Sequence, residues 1–187
     1  MFFSNPAVYQ CFPHPEPGVL CGPDGGDRPQ QMTDGDVLRH VREVFALAAR
    51  PERFTDRDHC CECAEHDDLL RSRDLDSLTV EDVGNPGWDP ICFATDEAFF
   101  YFLPALARLA LDEPAIGHGW YFEQFLFHLT YEGASNRRLR AASPKQRGAV
   151  LLLLHHVQRT RPALVREHLC GEELRHALTV WGSNAEG

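Results

Sequence analysis

With 187 residues, 43% of them hydrophobic and 25% charged, the chain has the composition of a soluble domain. It is long enough to bury a core without disulfides or a metal. A formal net charge of −10 argues against nucleic acid and anionic lipid as partners. Apolar runs such as residues 149–154 fall far short of the roughly 20 residues that a membrane-spanning helix needs.

The opening MFFSNPAVYQCF has no basic start and is interrupted by Ser4, Asn5 and Pro6, unlike a signal peptide. A cytoplasmic protein with reduced thiols is expected, and the odd count of seven cysteines argues against a closed disulfide framework. Charge is unevenly spread. Residues 1–136 carry nine Arg against 24 acids, whereas residues 137–187 carry nine bases against four acids. Between Arg137 and Arg166 there is no acid at all, so the basic C-terminal helices are expected to dock on the acidic part of the chain.

In chain order, residues 1–32 are rich in Pro and Gly and read as an N-terminal arm or loop, followed by a helical domain over 33–187. Thr33 or Asp34 caps a helix to about Arg50, with Val37, Val41, Val44, Phe45 and Ala48 at helical spacing and Pro51 as its stop. The Cys/His stretch that follows is read as helical to about Arg73. Leu78, Val80 and Val83 make a short element, residues 84–90 a loop, and residues 91–93 a brief extended piece. Thr95 caps a strong helix, TDEAFFYFLPALARLAL, which Pro104 should kink or divide. WYFEQFLFHLTY, apolar nearly all round, predicts a central core helix, and residues 133–140 a polar loop. Ser143, Pro144 and Gln146 form a helix start with a cap, a proline at the first position and a capping-box partner, and that helix should reach Thr160. Pro162 opens a short helix to His168, and a last one spans roughly 172–181. The expected fold is all-α, a single-domain orthogonal bundle of five to seven helices.

The chemistry concentrates in DHCCECAEHDD, residues 58–68. On a helix, His59, Cys63, His66 and Leu70 share one stripe, which suits a plain buried face as well as a site. As a zinc site, Cys60, Cys63 and His66 supply three ligands, with His59 or Asp67 as the fourth. There is no second Cys-x-x-Cys. Cys11, Cys21, Cys92, His118 and His128 are candidate distant ligands without a pairing signature. A dithiol redox site is the weaker reading, because Asp56, Asp58, Glu62 and Glu65 should raise the thiol pKa. Elsewhere, the loop around Trp88 and Asp89 either lines a pocket or anchors itself on a buried tryptophan. His118 sits between turn glycines, and His155 and His156 point about 100° apart on a helix. Phosphate-loop, nucleophile-elbow and His-Glu-x-x-His motifs are absent. The Arg-rich segment 137–147 lacks aromatic residues for base stacking.

Cys60-x-x-Cys63 followed by ATDEAFFYFLPALARLAL resembles an uncharacterised family of small bacterial proteins, over residues 51–111 or so. The resemblance implies a bacterial, cytosolic origin and carries no activity. The leading expectation is a non-enzymatic protein that binds another protein with a basic surface, as an immunity or regulatory protein would, without a cofactor. The alternative is a zinc protein, structural or hydrolytic, built on His59, Cys60, Cys63 and His66, with Asp67 or Glu62 as base in the hydrolytic case.

Overall fold

The computed structural model describes residues 32–183, so the expected arm, Met32 apart, lies outside the described residues. The described residues are all-α. The helices are α1 (Asp34–Phe45), α2 (Cys61–Arg71), α3 (Val80–Val83), α4 (Pro90–Phe93), α5 (Asp96–Leu111), α6 (Tyr121–Thr130), α7 (Arg137–Ala141), α8 (Pro144–Thr160), α9 (Pro162–Glu167) and α10 (Gly171–Gly182). Six of these are ten residues or longer, and the rest are single turns that connect them. No strand occurs among the described residues, only isolated bridges such as Thr55 to Ala94. No helix among them is long and apolar enough to cross a membrane.

Local signals set most helix starts. Thr33 caps α1 in a reciprocal box with Asp36, and Ser143 caps α8 in the same way with Gln146. The Thr95 side chain accepts from the Ala98 N–H at 3.1 Å at the start of α5. Three segments differ from expectation. Residues 91–93 are helical, because Asp89 caps Ile91 N at 2.9 Å and Pro90 takes the first helical position, the same device as Ser143-Pro144. The presumed polar loop 133–140 contains a 3₁₀ turn (Gly133–Ser135) and then α7, whose start is fixed by Asn136 accepting from Leu139 N at 3.1 Å. Helix α1 ends at Phe45, five residues before Arg50, and Pro51 lies beyond it in the connector.

The core centres on α5. Eleven of its sixteen residues are buried and it runs unbroken through Pro104, packed on α1 and α6. Helix α6 was the expected centre, but Phe127 on it is 49% exposed, and Tyr131 just past its end is 60% exposed. The two rings pack on each other with centroids 5.3 Å apart. One turn apart on the same face, they shield each other and turn that face into the rim of a surface hollow. Helices α8 and α10 close the other side, α8 on α1 and α10 on α6.

The expected docking of basic on acidic segments is visible at particular pairs. Arg137 binds Asp96 at 2.8 Å, and Arg161 and His156 both bind Asp34 at 2.6 Å. Many other acids are neutralised closer in sequence: Asp82 by Arg73, Asp76 by Arg42 and Asp58 by Arg53. The Arg161 hydrogen bonds, opposed by partial burial and helped by His156, hold the Asp34 carboxyl down at about 2. A folded-state pKa below the unfolded value near 3.9 stabilises the protein above that value. The contribution fades as pH falls through about 2. Because the Asp34 side chain is 48% exposed, screening reduces the benefit to about 1 kcal/mol. Asp34→Asn should therefore cost about that much at pH 7 in urea unfolding and only a small part of it at pH 2, where the folded carboxyl is about half protonated. An equal difference at both pH values would remove Asp34 from this role.

Candidate metal centre

The Cys/His stretch folds around a buried carboxylate. Asp67, fully buried on α2, accepts from the backbone N–H groups of Phe54 at 2.7 Å and Thr55 at 3.1 Å. Its other oxygen faces Arg57 at 3.3 Å and Arg71 at 3.7 Å. The Thr55 hydroxyl donates to the Cys63 carbonyl at 2.7 Å. These bonds press the connector 54–60 against the start of α2. Asp67 is thus an internal anchor, and both its oxygens are engaged, so it serves neither as a ligand nor as a base.

Cys60 is the N-cap of α2, and its sulfur accepts from Cys63 N at 3.4 Å. The two sulfurs lie 3.4 Å apart, and Cys63 Sγ is 3.6 Å from His59 Nδ1. All three donor atoms fall within 4.8 Å of one another, with His59 and Cys60 exposed and Cys63 buried. The expectation that nearby acids raise the thiol pKa holds for one cysteine only. Burial first, then the Cys60 contact and the charges of Asp56 and Glu62, push Cys63 up to about 11. Cys60 moves the other way: the Cys63 backbone N–H, then the Cys63 side chain and His59, lower its pKa. A thiol at a helix start sees unpaired N–H groups at close range, and these outweigh more distant carboxylates.

His66 does not join this group. It lies one turn further along α2, a rise of about 4.5 Å from Cys63, and is fully buried between two rings. Trp88 stands 4.2 Å and Phe93 4.8 Å from it, centroid to centroid. Of the expected stripe, Cys63, His66 and Leu70 share the buried face of α2, while His59 lies before the N-cap and is exposed; the His66 part of the face meets α4 rather than the ligand cluster. Glu62 Oε1 approaches His66 Nε2 at 3.6 Å, beyond hydrogen-bond range. Trp88 itself is 37% exposed, so the loop does not anchor on a buried tryptophan.

Two of the candidate distant ligands, Cys92 and His128, join Asp89 in a second convergence rather than the Cys60 cluster. Asp89, Cys92 and His128 bring a carboxylate oxygen, a thiol and a ring nitrogen within 4.8 Å of one another, from α4 and α6. Their only sequence mark is Asp-x-x-Cys at a helix start, with the histidine 36 positions further on. Cys92 opens onto two surface hollows. One, of about 420 Å³, also holds Asp89, His118 and Gln124, and the other, of about 600 Å³, holds His128, Tyr131 and Arg138. Gly117 and Gly119 beside His118 have φ of 86° and 69°, so they serve the turn as expected. His156 is buried against Asp34 while His155 is exposed, so the adjacent pair shares nothing.

No protein-family profile matches the chain, and no curated protein or solved structure shows detectable similarity to it.

Proposed function

We propose that the protein binds zinc through His59, Cys60 and Cys63. One observation carries the reading. Zinc–sulfur bonds of about 2.3 Å and zinc–nitrogen bonds of about 2.0 Å in a tetrahedron separate two thiolates by about 3.8 Å, and a thiolate from an imidazole by about 3.5 Å. The separations here are 3.4 and 3.6 Å. The N–H from Cys63 to Cys60 Sγ favours the thiolate, as outer hydrogen bonds do around bound metals. Such an ion would clip the connector 54–60 to the first turn of α2, with its fourth position toward solvent, since His59 and Cys60 are exposed. With Asp67 engaged in anchoring, nothing in the cluster supports the hydrolytic version over a structural one. Protein recognition through a basic partner rests on net charge alone, and many of the acids are already paired with arginines.

Protein purified without added metal should contain zinc. The double variant Cys60→Ser/Cys63→Ala should contain one equivalent less by elemental analysis. Equal zinc in the two proteins would sink the proposal. One feature favours a second reading, a dithiol that closes to a disulfide: an exposed N-cap Cys60 facing a buried Cys63. In that case the reduced protein carries no metal at these residues, and a mild disulfide oxidant removes both free thiols together.

A further inference from the structure

We propose that Asp89, Cys92 and His128 form a second metal site, for a zinc-like divalent cation, between the start of α4 and the end of α6. The proposal is independent of the first site and shares no residue with it.

Three observations converge. The carboxylate is held in place rather than left free. Asp89 Oδ1 caps Ile91 N at 2.9 Å and Oδ2 accepts from Gln124 Nε2, whose amide also donates to the Val83 carbonyl at 2.7 Å. Fixing a ligand's orientation through outer hydrogen bonds is how metal sites are prepared. Next, His128 is 1% exposed, and its Nε2 lies 2.9 Å from Asp89 Oδ2 but off the direction of an aligned hydrogen bond. Among the described residues His66 and the Nδ1 of His156 share this lack of a partner, but only His128 stands in a group with a carboxylate and a thiol, where a bound cation would satisfy its lone pair. Finally, the carboxylate is only 3% exposed, and the neighbouring cation Arg138 does not hydrogen-bond to it. Arg138 donates to the carbonyls of Ile91 and His128 and lies over the Phe99 ring at 4.1 Å. The Cys92 thiol donates to Asp89 Oδ2 at 3.7 Å, and a cation that replaced its proton would sit between the two atoms and compensate the buried carboxylate.

Cys92 reaches the surface and borders both hollows, which gives an ion an entry path and room for a fourth, exogenous ligand.

The test is alkylation by iodoacetamide, followed peptide by peptide, with and without excess Zn²⁺. Zinc should slow modification of Cys92 at least tenfold in the wild type and in Cys60→Ser, but less than twofold in Asp89→Asn. Cys92 reacting equally fast with and without zinc overturns the proposal. Should Asp89→Asn fail to fold, cobalt decides the matter. Co²⁺ added to Cys60→Ser/Cys63→Ala should give a thiolate-to-cobalt absorption band that disappears when Cys92→Ser is added. No band, or one that survives Cys92→Ser, counts against the site. Modification of Cys60 and Cys63 in the wild type reports on the first site separately, so either site can fail alone.

Discussion

Asp67→Ala should lower stability by about 3 kcal/mol and weaken zinc binding at His59, Cys60 and Cys63 by at least tenfold. The carboxylate satisfies the Phe54 and Thr55 N–H groups, which alanine would leave without acceptors beside a buried ring. Each buried orphan costs about 1–3 kcal/mol, while Arg57 and Arg71, at 36% and 53% exposed, can turn to water. The effect on zinc follows from geometry. The connector that Asp67 pins to α2 leads into His59 and Cys60, and ligand positions must hold to a fraction of an ångström. Asp67→Asn keeps one acceptor oxygen for the two N–H groups and should be milder, at about 1–2 kcal/mol. Urea unfolding and zinc competition against a chromophoric chelator measure the two effects. Stability within about 0.5 kcal/mol of wild type would show that the carboxylate is not the anchor.

Trp181→Ala should be the most damaging single substitution in the C-terminal helices, at about 4 kcal/mol, with Tm lowered by about 12 °C. Trp181 is 1% exposed on α10 and faces α6, where its indole N–H donates to the Leu129 carbonyl at 2.9 Å. Alanine removes the ring's burial, opens a cavity among rigid neighbours and strips Leu129 of a donor. Trp181→Phe should recover most of the packing and lose chiefly the hydrogen bond, leaving a deficit of about 1–2 kcal/mol. Leu47, 94% exposed, is the control, and its alanine variant should unfold like the wild type. Denaturant titrations that rank Trp181→Ala beside Leu47→Ala would contradict this account of how α6 and α10 are joined.

The all-α fold could be read in advance because its signals are local. A cap such as Thr33, Thr95 or Ser143 acts within four residues, and the spacing of Val37, Val41 and Phe45 marks a helix face wherever that helix later packs. The same locality exposed Cys60-x-x-Cys63, whose sulfurs meet across one turn. The shorter helices carry local signals too: Asp89-Pro90 starts α4 by the cap and first-position proline of Ser143-Pro144, and Asn136 starts α7 by its side-chain cap alone.

Whatever depended on packing between distant segments was decided by the tertiary structure alone. His66 has the spacing of a ligand, yet Trp88 and Phe93 enclose it. Asp67 looked like a ligand or base, yet it caps a connector 12 residues earlier in the chain. Asp89, Cys92 and His128 come together only because α4 and α6 settle side by side around Gln124. Helix propensity and capping are short-range forces that a sequence displays directly. Which buried faces then meet is set by the joint burial of residues far apart in the chain, and no local pattern encodes it.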